Sequence, residues 1–371
     1  MQLHQLDARV RKILRDLKGY RIRKQVMIEN VEIAPRDSKE FAPFENGGLW
    51  ALNKGDNWYD FRFSVTVPED FRGQVRLSML TGMENEWEAT HPQVVVWING
   101  RIEQAFDTRH TELVLQNTAK PGEKFDVFMQ AYHLGADGVA GLKVARMHLS
   151  VIDVMDDVSQ LYYDLSVPHA ACLMLPDGSR DRETTLRALS DAVNLLDLRV
   201  PYSDAFHSSI EKARAFMSEN YYQPLENVEP EAVADAIGHT HIDVAWLWDI
   251  YQTRHKAVRS FSTMLKLMEQ YPEFKFMSSQ PQLYQFVKED QPELFERIKD
   301  AVKRGQWEPE GGMWVEADCN LSGGEALVRQ FLYGNEFFET EFGKRSRVLW
   351  LPDVFGYSAA LPQILKKSKI D

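Results

Sequence analysis

Two histidines and an aspartate alternate within five residues, at His239, His241 and Asp243. In an extended segment alternate side chains lie on the same face, so these three groups can address one ligand. Imidazole and carboxylate together form a ligand set that suits Zn²⁺. The opposing interpretation is that both histidines are satisfied core or loop residues, and that the nearby Trp246 and Trp248 fill a core. The alternating spacing favours a metal site.

This segment stands at the predicted end of a buried strand. A short apolar run at 232–237 precedes it, and a stretch with helical spacing at 253–268 follows it. Loops diverge and bind ligands where the parallel strands of α/β proteins end. Three further strands are predicted, at 274–278, 307–310 and 347–351. Polar or aromatic clusters follow them, at 278–282, 310–318 and 350–358 respectively. We therefore expect four loops to converge on one site.

Asp353 lies in the last of these clusters, between Pro352 and Gly356, which favour a turn. Chemistry alone leaves three roles open for this carboxylate: completing a metal site, acting on a substrate, or capping the next helix. Asp318 and Glu316 carry less weight, because an exposed loop carboxylate is usually only solvated. Of these two, Asp318 is retained as a candidate for substrate binding.

Composition bounds the class of protein. The chain has 371 residues, 44% of them hydrophobic, which is enough for two or three domains with their own cores. Its net charge of −12 argues against nucleic acid as a partner. No run of eighteen apolar residues occurs and the basic first twenty residues contain no signal-peptide core, so we expect a cytoplasmic protein without membrane association. Two cysteines exclude a disulfide framework and a Cys-rich zinc motif.

The N-terminal part has two different periodicities. Apolar residues recur at helical spacing over 3–18, which predicts an amphipathic helix. Beyond residue 21 the period becomes two, and Asn99-Gly100 between apolar runs is a strong hairpin signal. These features predict an antiparallel β-sandwich. The predicted strands include 61–67, 75–80, 94–98, 102–106, 113–115, 125–131 and 142–152.

Four tryptophans in this region could bind sugar, namely Trp50, Trp58, Trp87 and Trp97. The alternative, which we favour, is that they fill the core of the sandwich or its contact with the next domain. A β-sandwich by itself implies no activity.

The chain is therefore expected to be a multidomain protein. Residues 1–155 are expected to form the helix and sandwich, and residues 156–230 a helical connector. From residue 231 to 371, apolar strand-like runs alternate with longer helical runs. Such an alternation predicts a parallel sheet with right-handed crossovers.

Three motifs resemble glycoside hydrolase family 38, the class II α-mannosidases. They are GHTHIDVAWLW at 238–248, GGMWVEADCNLSGGE at 311–325 and WLPDVFGYS at 350–358. The resemblance spans nearly the whole chain. Within the family it is similar to the cytosolic and vacuolar branch, whose members carry an N-terminal β-domain like residues 40–155.

The resemblance implies a retaining, metal-dependent enzyme that hydrolyses terminal α-mannosyl residues of oligosaccharides on a seven-stranded, barrel-like β/α domain. It assigns His241, Asp243 and Asp353 as ligands of Zn²⁺, with Co²⁺ or another divalent ion as alternatives. Asp353 is also the implied catalytic nucleophile. Trp246 matches the aromatic residue that packs against the cleaved sugar, and Phe355 is expected to line the same pocket.

The chain also departs from the family pattern. A fourth ligand histidine and the acid/base carboxylate are expected later in such chains, yet the last histidine here is His255. We therefore expect this sequence to be the N-terminal part of a longer enzyme. That full-length enzyme could form a homo-oligomer. Two other classes stay in view. One is an amidohydrolase-like metal hydrolase, which would require histidines beyond residue 256, and the other is a non-catalytic carbohydrate-binding fragment.

Overall fold

The computed structural model describes residues 3–53, 55–84, 91–134, 146–229 and 232–371. Within them, helices combine with antiparallel sheets and one parallel sheet, so the mixed architecture expected from the sequence is confirmed. No helix in these ranges has both the length and the apolar composition needed to cross a membrane. Trp87 and part of the predicted strand 142–152 lie outside them.

The chain begins with the predicted amphipathic helix, α1 (Leu3–Tyr20). Its buried residues are Leu6, Val10, Leu14 and Leu17, spaced three or four apart as one helical face requires. That face packs into a cluster shared with the helices that follow the β-region.

Two antiparallel sheets follow, with strand orders 1-10-5-8 and 3-2-4-9-6-7. Buried side chains from both sheets belong to one hydrophobic core, the arrangement expected of a sandwich. The predicted strands are confirmed wherever the structure describes them. The strands are β1 (Ile22–Met27), β2 (Val31–Pro35), β3 (Ala42–Phe44), β4 (Asp56–Thr66), β5 (Gln74–Leu80), β6 (Gln93–Ile98), β7 (Arg101–Phe106), β8 (Glu112–Gln116), β9 (Lys124–Leu134) and β10 (His148–Val154).

The Asn99-Gly100 hairpin is confirmed between β6 and β7. Ile98 pairs with Arg101, and both turn residues have positive φ, 51° at Asn99 and 82° at Gly100. Two positive φ angles are what a two-residue turn of this kind requires, so Asn-Gly fixes the turn.

A helical segment joins the sandwich to the C-terminal part, as predicted. Ser179 and Ser203 cap two of its helices by accepting hydrogen bonds from the backbone N–H groups of Arg182 and Phe206. The elements are α2 (Asp156–Leu173), α3 (Arg180–Asn194), α4 (Asp204–Met217), a π-helical turn (Ser218–Tyr222) and α5 (Gln223–Glu226).

The C-terminal part contains a parallel three-stranded sheet with helices between its strands. The strands are β11 (Gly238–His239), β12 (Phe276–Ser278) and β13 (Trp307–Pro309), paired in that order. The helices are α6 (Ile250–Gln270), α7 (Pro281–Asp290), α8 (Pro292–Lys303), α9 (Gly324–Phe342) and α10 (Leu361–Lys367).

Two strand predictions in this part are wrong. Residues 232–237 are exposed and unpaired, because β12 begins opposite Gly238 and no described strand lies beside them. The predicted strand at 347–351 is reduced to one parallel bridge between Leu349 and Gly311.

Helix α6 packs against the sandwich through aromatic residues. Trp58 contacts Tyr251 and His255 of α6, with ring centroids 5.3 and 4.7 Å away, and Trp97 packs against the core around α6. Trp50 is buried inside the sandwich, 5.5 Å from the ring of Phe61. The core and contact interpretation is therefore confirmed for these three tryptophans.

Helix α9 lies so close to the loop after β13 that Gly334 has no room for a side chain. A Cβ there would collide with the carbonyl oxygen of Gly312. Alanine favours a helix over glycine by about 1 kcal/mol, but overpacking costs about 1–3 kcal/mol. Because rigid backbone is the obstacle, we expect Gly334→Ala to lower the free energy of unfolding by up to about 2 kcal/mol, as measured by urea denaturation.

Gly324 supplies the matched control, since it begins the same helix and a Cβ added there would meet nothing within 4 Å. Gly324→Ala should leave stability unchanged or raise it by up to about 1 kcal/mol. Equal effects of the two substitutions would contradict the close approach.

Candidate active site

The carboxyl ends of β11, β12 and β13 lie at one edge of the parallel sheet, and the loops that leave them meet there. His241, Asp243 and Asp353 each offer a ligand atom, and these atoms lie within 4.8 Å of one another. Nε2 of His241 is 2.9 Å from Oδ1 of Asp243 and 3.6 Å from Oδ2 of Asp353. The structure thus brings together the three residues that the sequence proposed as ligands, although 110 residues separate Asp243 from Asp353.

The loop carrying Asp353 is fixed at both ends. Before it, Oε1 of Glu310 accepts hydrogen bonds from the backbone N–H groups of Arg347 and Val348, at 3.1 and 3.3 Å. After it, Tyr357 forms a parallel bridge with Cys319. These contacts hold the Asp353 loop beside the loop that follows β13.

Gly356 belongs to the same junction. A Cβ at this position would collide with the side-chain amide of Asn320. The glycine therefore allows the two loops to approach each other, which adds to the turn-forming role expected from its sequence position.

Glu316 contacts a ligand residue of the site, although the sequence did not indicate this. Its carboxylate was expected to be solvated, but its side chain is only 7% exposed. Oε2 lies 2.8 Å from Nδ1 of His241, at ion-pair distance but without the alignment of a hydrogen bond. Oε1 accepts a hydrogen bond of 3.0 Å from the hydroxyl of Ser279. Burial raises the pKa of the Glu316 carboxyl, while the nearby His241 opposes that shift.

Gln280 ties two of the loops together. Its buried side-chain amide donates to the carbonyl oxygen of Ile242 at 2.8 Å, and its Oε1 accepts from the backbone N–H of Glu316 at 3.1 Å. The residue adopts φ 63°, in the left-handed region that non-glycine residues rarely occupy. We attribute this strained conformation to the two hydrogen bonds. They position Ile242, which follows His241 in the chain, and Glu316, which contacts the His241 ring.

His239 faces a different partner from His241. Nε1 of Trp350 donates a hydrogen bond of 3.0 Å to Nε2 of His239. Burial lowers the pKa of the His239 imidazole, and the nearby His241 lowers it further. A neutral His239 acting as an acceptor fits a supporting role next to the ligand cluster.

The predicted sugar-contacting residues differ in their surroundings. Trp246 is 67% exposed and lies against Trp248, and Phe355 is 95% exposed. Exposed rings at the mouth of a polar cluster are available to a ligand. Asp318 is also exposed, and its Oδ1 accepts hydrogen bonds from the backbone of Asn320 and Leu321, so its role in substrate binding stays a prediction.

The donor set fits a zinc ion. With Zn²⁺–ligand distances of roughly 2.0–2.2 Å, tetrahedral geometry places ligand atoms about 3.3–3.6 Å apart. The 3.6 Å separation of His241 from Asp353 matches this spacing, and the 2.9 Å hydrogen bond to Asp243 needs only a small side-chain movement. One imidazole and two carboxylates also leave a coordination position for a further group.

The chain is similar in sequence to known proteins of one family. Residues 232–371 match the family described as "Glycosyl hydrolases family 38 N-terminal domain". The chain is 34% identical to alpha-mannosidase G of Dictyostelium discoideum over 338 residues, covering 85% of this chain and 29% of that protein. It is 34% identical to human alpha-mannosidase 2C1, covering 88% and 31%. Identity to the alpha-mannosidase of Saccharomyces cerevisiae is 32%, covering 92% and 32%.

The chain therefore spans about a third of the length of the curated relatives it matches. The matched region begins just before β11 and contains every residue of the cluster described above. The family resemblance seen in the sequence is confirmed, and residues 232–371 are a glycosyl hydrolase family 38 N-terminal domain.

Proposed function

We propose that this chain supplies the metal-ligand and nucleophile side of an α-mannosidase that hydrolyses terminal α-mannosyl residues of oligosaccharides with retention of configuration. The observation that carries the proposal is the position of Asp353 beside His241 and Asp243, where its loop meets the loops that follow β11, β12 and β13. The similarity to alpha-mannosidases over 85–92% of the chain supports the choice of substrate. We also propose that the parallel sheet belongs to a barrel-like domain.

His241, Asp243 and Asp353 would hold a divalent cation, with Zn²⁺ as the favoured ion and Co²⁺ as an alternative. When bound, such an ion supplies positive charge that polarises hydroxyl groups of the sugar. Glu316 acts on His241 rather than on the sugar. Its carboxylate next to Nδ1 orients the ring and leaves Nε2 facing Asp243 and Asp353, which is the usual arrangement for a ligand histidine.

Asp353 carries out the covalent chemistry in this proposal. One oxygen of the ionised carboxylate attacks the anomeric carbon while the glycosidic C–O bond breaks, and a second carboxylic acid protonates the departing oxygen. Water then hydrolyses the glycosyl ester on Asp353, and inversion at both steps gives net retention. The half-exposed Asp353 side chain is accessible to a sugar.

Trp246 and Phe355 are proposed to bind the apolar face of the sugar ring. Their exposed rings lie on the two segments that carry the ligand residues, so a sugar held at the cluster comes within their reach. Contact with these aromatic rings would orient the sugar ring, and the polar cluster would bind its hydroxyl groups.

The two alternative functions, an amidohydrolase-like hydrolase and a non-catalytic carbohydrate-binding fragment, have less support. An amidohydrolase-like site would draw further histidines from later strand ends, and the sequence from 256 to 371 contains none. A purely carbohydrate-binding role gives no reason for a fixed carboxylate beside the two other ligand candidates. The cytoplasmic location expected from the sequence stays a prediction.

We expect Asp353→Asn in the full-length protein to lower kcat for an aryl α-mannoside by about 10⁴-fold or more, because the amide cannot attack the anomeric carbon. Mass spectrometry should detect a mannosyl ester on the peptide containing Asp353 after reaction with a fluorinated α-mannosyl fluoride that deglycosylates slowly. Glu325→Gln removes the same charge from an exposed position on α9 and should retain activity. Labelling of a different carboxylate would assign the nucleophile elsewhere.

A second prediction concerns metal binding and does not depend on turnover. Replacing Glu316 by Gln should weaken Co²⁺ affinity about 10–100-fold, because the carboxylate that orients His241 is lost. His241→Ala should abolish binding, while Glu325→Gln should leave it unchanged. Affinity is measured by the visible absorption of Co²⁺, and thermal midpoints verify that each variant is folded. Unchanged Co²⁺ affinity in a folded Glu316→Gln variant would contradict the positioning role.

A further inference from the structure

A cavity that His241, Asp243 and Asp353 do not line lies between the sandwich and helix α6. Its volume is about 330 Å³, enough for a molecule the size of a monosaccharide. Its walls come from the loop after β7, from helix α6 and from the residue that follows β11. Its polar lining residues include Gln93, Asp107, His110, Thr240, Arg259 and Ser260.

Arg259 is a cation of this cavity that forms no ion pair with any described carboxylate, although the charge of Asp107 acts on it from farther away. Its guanidinium donates a hydrogen bond to the side-chain oxygen of Gln93, and no described carboxylate lies within ion-pair distance of it. Burial lowers the pKa of Arg259 to about 10, which leaves it protonated at neutral pH. Because a nearby negative charge stabilises a partly buried cation, the cavity has a place for an anion.

The carboxylate in the described wall, Asp107, is bound by its own loop and attracts Arg259 only from beyond ion-pair distance. Asp107 accepts hydrogen bonds from the backbone N–H groups of Arg109 and His110, each at 2.7 Å. Its Oδ2 also lies 2.9 Å from Nδ1 of His110. Burial raises the pKa of Asp107, but these donors outweigh it and lower that pKa to about 2, so Asp107 stays ionised and hydrogen-bonded within its own turn.

Lys256 adds to the positive potential on this face of α6. It lies one helical turn before Arg259, and its ammonium group stacks on the ring of Trp248 at 4.2 Å. Burial, followed by the charge of Arg259, lowers the pKa of Lys256 to about 7. Lys256 is therefore only partly protonated at neutral pH. In its protonated form it repels Arg259, and an anion near Arg259 would relieve that repulsion.

We propose that this cavity binds a small oxyanion, a phosphate or a carboxylate, through the guanidinium of Arg259 and the hydroxyls of Thr240 and Ser260. The anion would join three parts of the molecule, namely the β7–β8 loop, helix α6 and the segment that leads into His241. Thr240 precedes His241 in an extended segment, where successive side chains face opposite sides. The oxyanion site is therefore separate from the sugar site proposed above and lies behind it.

Isothermal titration of the full chain with inorganic phosphate tests this assignment. We expect one saturable site per chain, with affinity reduced at least tenfold in Arg259→Gln. Arg15→Gln, which removes an equal charge from an exposed position on α1, should bind phosphate like the parent protein. Ser260→Met, which fills the cavity and keeps Arg259, should also remove binding and provides the test if Arg259→Gln does not fold.

Titration with a hexose 6-phosphate and with the neutral hexose distinguishes binding through the anionic group from binding through the sugar hydroxyls. A hexose 6-phosphate should bind at least as tightly as inorganic phosphate, because its hydroxyls reach the polar wall, and the neutral hexose should not compete with phosphate. Absence of saturable phosphate binding in the parent chain would overturn the proposal. Equal phosphate affinity in folded Arg259→Gln, or displacement of phosphate by the neutral hexose, would also overturn it.

Discussion

The candidate site depends on the crowding of carboxylates around one imidazole. Asp243, Glu316 and Asp353 all approach His241, and a protonated imidazole balances at most one of their charges. Like charges this close repel one another unless a cation or a proton compensates them. Burial keeps Glu316 easier to protonate than usual, which relieves part of the repulsion. The remaining pair, Asp243 and Asp353, faces the open side of the cluster, where a divalent cation would neutralise both.

The sandwich stabilises this arrangement from a distance through helix α6. Arg36 of the sandwich stacks between the rings of Trp58 and Tyr251, at 4.8 and 4.7 Å, and so anchors the first turn of α6. The same turn contacts the ligand segment, because the hydroxyl of Thr253 accepts a hydrogen bond of 3.1 Å from the backbone N–H of Ala245. A shift of the sandwich would therefore move the chain directly after Asp243.

Local signals in the sequence predicted most of the elements. The helical face of α1 and the Asn99-Gly100 turn depend on side chains and φ angles within a few residues of one another, so periodicity and turn chemistry suffice. The failure at residues 232–237 has the opposite cause. An apolar run specifies a strand only if another strand lies beside it, and that pairing is a property of the tertiary structure.

The same contrast between local signals and tertiary contacts explains why only part of the site could be predicted. Clusters after successive strands indicated convergence, and the family motifs selected His241, Asp243 and Asp353 from the many polar residues. Nothing local distinguishes Glu316 from the exposed Asp318 two residues later, since burial of the first depends on Ser279 and Gln280 in another loop. The left-handed φ of Gln280 is likewise imposed by hydrogen-bond partners that are distant in sequence. The conformational preferences of glutamine therefore do not predict it.

The contact between Gly356 and Asn320 also limits how this site can diversify. A side chain larger than that of glycine at position 356 would meet the amide of Asn320, so the two loops can change at this junction only together. Variation among enzymes built on this arrangement is thereby directed to the outer rim, where Leu321 and Phe355 project into solvent and carry no internal packing. Libraries that alter glycan preference are best directed to that rim, since substitutions there disturb no internal packing.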